Sequence, residues 1–305
     1  MKKSAAEREK GSSKTVIFLH IPKTAGVTIR HLIRKQYRKS EMYYADLLSP
    51  NEVDEALGSL SVEQKSQIRI LWGHLIFGVH TYLPEPTTYF TFLRNPIERT
   101  ISHYYYVRSR PQEFEIATYI MENKISFHEA LERELIRDIQ NVQTRMIAGL
   151  PYDYPPNTYT EAHLETAKQN LAKHFAVVGL VERFDESLLL LKKAFGWGNV
   201  YYYKKNVTSR RPYQREISPE TMALIEKENN LDLQLYEFAQ QLFTEQLAQQ
   251  DVNFINEVSR FKYWNQNLYS PFITRLNTVD TAVRKVYWQM RKVSVREIIK
   301  KQINR

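Results

Sequence analysis

The chain has 305 residues and no cysteine, which excludes a disulfide framework, a thiolate metal site and a cysteine nucleophile and makes a reducing cytoplasm its simplest home. A hydrophobic share of 43% with 25% charged residues suits a globular chain long enough for one α/β domain, and excludes disorder and collagen-like repeats. The formal charge of +9 belongs to the ends: eight basic residues against Glu297 in 284–305, five against two in 1–14, and a net −1 in the body between.

From the N-terminus, the charged segment 1–14 leads into the short apolar run Val16-Ile17-Phe18-Leu19, far below the length of a signal-peptide core or a membrane span. Export by that route is not expected, and no later stretch is apolar for long enough to cross a bilayer. Strands are predicted at Thr15–His20, Ile68–Trp72, Thr88–Leu93, Phe175–Leu180 and Asn199–Tyr203, from β-branched and aromatic runs. Helices are predicted after Gly26 (Val27 to about Tyr37), after Pro96 (Ile97 to about Val107) and after Ser126, whose Glu129 has capping-box spacing. Further helices fall near 161–173, near 185–195 with Gly196 as the stop, and near 219–246 with Ser218-Pro219-Glu220 as the start. The alternation predicts an α/β fold, with a P-loop-like central parallel sheet flanked by helices. Beyond residue 250 the pattern turns helical, aromatic and then basic. The chain thus divides into a basic N-terminal tail (1–14), one domain (15–250) and a helical, basic C-terminal extension (251–305).

Two strand-to-helix junctions carry the chemistry. In Phe18-Leu19-His20-Ile21-Pro22-Lys23-Thr24-Ala25-Gly26-Val27-Thr28, a helix N-terminus presents backbone amides and a positive dipole end, the elements of a phosphate or sulfate site. Lys23 adds a cation, Gly26 permits close backbone approach, and Thr24 and Thr28 supply hydroxyls. The GxxxxGK[ST] pattern of nucleotide-hydrolysing loops is absent, which argues against a nucleotide or metabolite kinase. In Thr91-Phe92-Leu93-Arg94-Asn95-Pro96-Ile97-Glu98-Arg99-Thr100-Ile101-Ser102, Arg94 stands at the strand's carboxyl end, where ligands bind in open α/β sheets, and Ser102 follows two helical turns later. The planar fork of Arg94 suits a phosphate, whereas Arg99 is expected to be structural. The anion site of the body is therefore assigned to Lys23, Arg94 and two helix N-termini.

The pair PKTAG…T and LRNPIERTISHYYY resembles the sulfotransferases that use 3′-phosphoadenosine 5′-phosphosulfate, and most of all the carbohydrate branch with heparan and uronyl 2-O-sulfotransferases and bacterial relatives. The resemblance implies that Lys23, Thr24, Ala25, Gly26 and Thr28 line the 5′-phosphosulfate and that Arg94 and Ser102 grip the 3′-phosphate. Val27 stands where the family commonly has threonine. The likeness continues through Asn141-Val142-Gln143-Thr144-Arg145, Val178-Gly179-Leu180-Val181-Glu182, Lys204-Lys205-Asn206-Val207-Thr208 and Asn230-Leu231-Asp232-Leu233-Gln234-Leu235-Tyr236, so it spans roughly 15–245. In relatives the loop after the last strand closes over the nucleotide, which makes Lys204 and Lys205 candidate contacts.

Sulfuryl transfer to a hydroxyl needs a base for the acceptor proton and positive charge at the leaving phosphate. His74, in Trp72-Gly73-His74, ends a predicted strand on the edge that carries the phosphate loop, and Gly73 is expected to leave room for substrate. The resemblance makes His74 the general base, with Lys23 at the bridging oxygen. His20 is expected to be structural, and His80 is a second choice for acceptor binding. The heparan 2-O enzymes carry His-Gly-His where this chain has Trp72-Gly73-His74. No metal motif is present, so no metal is implied beside the nucleotide co-substrate.

Residues 282–305 form a basic amphipathic pattern that suits peripheral contact with an anionic membrane, contact with a glycan, or packing on the body. The expected partner is a glycan or glycoconjugate acceptor, in the cytoplasm or at the membrane surface. A basic-tailed nucleic-acid-binding module is disfavoured, because the charge lies in the tails with no nucleic-acid motif between them.

Overall fold

In the computed structural model, residues 14–155, 158–203 and 216–274 are described. Lys204, Lys205 and the basic run 284–305 lie outside the described residues.

Five strands make one parallel sheet in the order β2-β3-β1-β4-β5: β1 (Thr15–Leu19), β2 (Met42–Tyr44), β3 (Ile70–Gly73), β4 (Thr87–Leu93) and β5 (Phe175–Leu180). All five side chains of β1 are buried, the continuous pattern of a parallel strand covered on both faces. Its Phe18 stacks on Phe90 of β4 at 4.6 Å. Burying each such side chain contributes about 1.5–3 kcal/mol.

The helices are α1 (Gly26–Gln36), α2 (Pro96–Arg108), α3 (Glu115–Glu122), α4 (Phe127–Glu132), α5 (Val142–Ala148), α6 (Glu161–His174), α7 (Phe184–Phe195), α8 (Pro219–Glu228), α9 (Asn230–Ala248) and α10 (Val252–Trp264), with two short helices, Pro50–Val53 and Val62–Gln67, between β2 and β3. Ser126 caps α4 as its spacing predicts: the Glu129 amide donates to the Ser126 hydroxyl, and the Ser126 amide donates to the Glu129 carboxylate. One core cluster joins the sheet to α1, α6, α7 and α9, and a second packs α2, α3 and α4 around Ile225 of α8.

Three elements differ from expectation. Asn199–Tyr203 is irregular chain rather than a strand, because side chains take its backbone groups. The Gly198 amide donates to Gln36 Oε1 (2.8 Å), Gln36 Nε2 donates to the Asn199 carbonyl (3.2 Å), and the Tyr202 amide donates to Asn265 Oδ1 (2.9 Å). The helical run near 219–246 breaks at the fully buried Asn229, whose side chain donates to the Ile225 carbonyl. Finally, the edge strand β2 has only three residues, too short to leave a periodic signal.

At the start of the C-terminal extension, α10 buries Phe254 and Phe261 against the body and pairs Lys192 with Glu257 and Lys262 with Glu186. Among the described residues, no helix is long and apolar enough to cross a membrane.

Candidate active site

β1, β3 and β4 lie side by side, and the register sets Leu19 of β1 opposite Gly73 of β3. Their carboxyl ends therefore deliver the 20–25 loop, His74 and Arg94 to one edge, where an open parallel sheet binds ligands. There they line a single cavity of about 1340 Å³ with Gly26, Thr28, Ser102, His103 and Tyr106.

The 20–25 loop turns through two left-handed residues, Lys23 (φ 71°) and Ala25 (φ 65°), neither of them glycine, a conformation that costs on the order of 1 kcal/mol each. Ala25 is the N-cap of α1 and provides no side-chain cap, and the first turn has no acidic residue. That leaves the positive end of α1 suited to an anion. The N-terminus of α2 is closed by contrast: Asn95 Oδ1 accepts from the Ile97 and Glu98 amides. Of the two helix N-termini assigned to anion binding, only that of α1 is open.

Thr24 is fully buried and donates its hydroxyl to the Ile21 carbonyl (2.8 Å), so its side chain shapes the loop. A Cβ on Gly26 would lie 1.7 Å from Nε2 of His20. It is this imidazole that comes close to the glycine. The Lys23 ammonium lies 3.8 Å from the centre of the Tyr106 ring on α2, a favourable cation–π contact.

Arg94 is held at both ends. Its amide donates to Gln143 Oε1 and its carbonyl accepts from Gln143 Nε2, both at 3.0 Å. The next amide, Asn95, donates to Glu182 Oε1 (2.9 Å), and Glu182 Oε2 accepts from the Tyr236 hydroxyl (2.7 Å). The guanidinium reaches Glu98 (3.2 Å) and the Lys23 carbonyl (3.3 Å), which ties the two junctions together. Gln143 is itself fixed by reciprocal caps. Asp232 accepts from the Gln143 and Thr144 amides, and Asn141 Oδ1 accepts from the Leu231 and Asp232 amides. Arg99 is fully buried and donates to the Asp138 and Ile139 carbonyls, which is the structural role expected of it.

The His74 ring has its Nδ1 2.9 Å from the His20 carbonyl. A carbonyl only accepts, so Nδ1 is the donor, and in the neutral ring Nε2 is the nitrogen that keeps its lone pair. The His74 amide donates to Asp46 Oδ1 (2.8 Å), and the two imidazoles stack at 4.4 Å. Burial above all, with the positive charges of Arg30 and Lys23 nearby, holds His20 well below the usual histidine range, so it stays neutral under His74. Gly73 does not open space for substrate. A Cβ there would meet the Ala45 carbonyl at 1.8 Å, because the chain after β2 runs alongside, with the Leu47 amide donating to the His74 carbonyl.

Thus Lys23, Ala25, Gly26, Thr28, His74, Arg94 and Ser102 line one cavity, while Thr24 is fully buried and does not line it. His80 is not on this wall and pairs with the Tyr89 hydroxyl. Residues with no assigned role also line it: Tyr44, Asp46, Trp72, His103, Glu186, Tyr202 and Lys262. Asp46 follows the short strand β2, and Lys262 comes from α10, so neither sits in a recognisable pattern.

A family model described as galactose-3-O-sulfotransferase matches residues 2–294 of the chain. Galactose-3-O-sulfotransferase 2 of Homo sapiens is 25% identical over 241 residues, which are 73% of this chain and 58% of that protein. The Mus musculus protein of the same name is 26% identical over 253 residues, 76% of this chain and 62% of that protein. Heparan-sulfate 6-O-sulfotransferase 1 of Gallus gallus is 26% identical over 271 residues, 73% and 64% respectively. The chain thus spans about three fifths of the length of these curated relatives.

Proposed function

The chain belongs to the galactose-3-O-sulfotransferase family, and from that premise we propose that it transfers a sulfuryl group from 3′-phosphoadenosine 5′-phosphosulfate to a carbohydrate hydroxyl. The observation that carries the reading is the His74 imidazole, held through Nδ1 by the His20 carbonyl so that Nε2 is its accepting nitrogen, in the cavity that holds Lys23 and Arg94.

In this mechanism Nε2 of His74 takes the proton of the acceptor hydroxyl as its oxygen bonds to sulfur. The bond from sulfur to the 5′-phosphate oxygen breaks, and 3′-phosphoadenosine 5′-phosphate leaves with the electron pair. The open end of α1 and Lys23 stabilise the charge that develops on the phosphate oxygens. Lys23 leaves the Tyr106 ring to do so, trading a weak contact for a charge-assisted one. Arg94 and Ser102 hold the 3′-phosphate, and the Gln143 clasp keeps Arg94 in place before the nucleotide arrives, which reduces the ordering cost of binding. The relatives carry both 3-O and 6-O names, so the 2-O likeness of the motifs does not fix the acceptor position.

Thermal unfolding with 3′-phosphoadenosine 5′-phosphate, against ATP with magnesium, tests this reading. Saturating the 3′-phosphorylated nucleotide at about a hundred times its Kd should add about 2.7 kcal/mol and raise the midpoint. Stabilisation by ATP alone would defeat it.

A further inference from the structure

Tyr44, Trp72 and Arg30 line the cavity that holds His74. Trp72 is 6% exposed, its ring lines the cavity, and its buried Nε1 has no hydrogen-bond partner. An indole N–H can only donate, and leaving it unmatched is costly. Tyr44, 53% exposed, leans on Trp72 with ring centres 4.5 Å apart, and so presents an aromatic face to the cavity. On the α1 side, the guanidinium groups of Arg30 and Arg34 stand 5.9 Å and 6.0 Å from the Trp72 ring centre. Neither arginine makes a hydrogen bond or an ion pair among the described residues. The carboxylate closest in the chain, Asp46, is engaged at both oxygens: Oδ1 accepts from the His74 amide and Oδ2 from the Tyr44 hydroxyl.

We propose that Tyr44, Trp72, Arg30 and Arg34 form an acceptor subsite for an acidic sugar, whose ring lies on the Tyr44 face and whose carboxylate or sulfate meets the two arginines. The proposal rests on the sulfotransferase reading and names the substrate class of that site. Two features support it together. The aromatic face suits the apolar side of a sugar ring, and the unpaired guanidinium forks suit a carboxylate or sulfate bidentately. Tyr44, Trp72 and Arg30 line the cavity that holds His74, and Arg34 follows Arg30 one helical turn on along α1. In a body with a net charge of only −1, this pair of arginines is a local feature rather than part of a general positive field.

The test is calorimetric titration of the full chain, with 3′-phosphoadenosine 5′-phosphate present, by three probes: a hyaluronan tetrasaccharide, the same tetrasaccharide after carboxyl reduction, and a sulfated chondroitin tetrasaccharide. The charged probes should bind about tenfold more tightly than the reduced one, and a sulfated probe that outbinds hyaluronan shows that sulfate adds to the contact made by the carboxylate. In an Arg30→Gln/Arg34→Gln chain the preference should fall to about threefold or less, with the nucleotide still bound as a check on folding. Equal binding of charged and reduced probes overturns the proposal, as does a preference untouched by the double substitution. Failure to bind any probe by a chain that binds the nucleotide also overturns it. Failure to bind the nucleotide itself overturns the sulfotransferase reading beneath it.

Discussion

Gly26 and Gly73 are each kept small by a protein neighbour. At Gly26 the neighbour is the His20 imidazole, and at Gly73 the Ala45 carbonyl. His20 in turn supplies the carbonyl that His74 Nδ1 meets, so Gly26 and the His74 imidazole are two contacts apart. Gly26→Ala should destabilise the fold by about 1–3 kcal/mol, the usual cost of overpacking, because the clash at 1.7 Å cannot relax without moving His20. His20→Ala in the same chain makes room for the methyl group. Chemical denaturation should therefore find the double variant more stable than the sum of the two single losses, and strict additivity would show that the two residues do not meet in this way.

At the scale of elements, the organising unit is the turn between β4 and α2, clasped by Gln143 from α5 and by Glu182 after β5. The sequence marked Asn141–Arg145 and Asn230–Tyr236 as stretches similar to the sulfotransferases, with no residue roles attached. Their physical meaning is a pair of reciprocal helix caps, Asp232 on α5 and Asn141 on α9, that holds Gln143 against the Arg94 backbone. Such a clasp joins residues about fifty positions apart and leaves no periodic trace in either segment. Gln143→Ala strands the Arg94 amide and carbonyl, and it should weaken binding of 3′-phosphoadenosine 5′-phosphate about tenfold. Gln143→Glu keeps the acceptor and loses the donor, so it should fall between. Calorimetric affinities for the three chains decide the matter, and an unchanged Gln143→Ala would show that Arg94 needs no clasp.

For the whole molecule, the sheet and most helices were legible because apolar runs and caps are local signals: β1, β3, β4 and β5, the Ser126 box and the Gly196 stop all fall where their residues predict. The site was legible where it rests on motifs, in Lys23, His74 and Arg94. It was not legible where tertiary packing brings in Asp46, Glu186 or Lys262, or where Asn95 closes a helix end that the dipole argument had left open. His20 and His103 have consequences for stability as well. Burial lowers both well below the ordinary value of 6.5, helped at His20 by Arg30 and Lys23 and at His103 by Arg99 and Lys23. In the unfolded chain these imidazoles take up protons near pH 6.5, while the folded chain keeps them neutral. Their contribution to stability is therefore complete above that pH and declines below it, down to the lowered folded values. Unfolding midpoints measured from pH 8 to pH 5 should drop on the acid side, and His103→Gln should flatten that drop. A His103→Gln chain with an unchanged slope would place His103 outside this linkage.

The central claim is that His74 removes the acceptor proton in a sulfuryl transfer, and the most direct measurement follows radiolabelled sulfuryl from 3′-phosphoadenosine 5′-phosphosulfate into oligosaccharides with the unaltered chain and with His74→Ala. The unaltered chain should label a carbohydrate, and His74→Ala should do so about a hundredfold or more slowly while still binding 3′-phosphoadenosine 5′-phosphate. Labelling at an undiminished rate by His74→Ala would contradict the account.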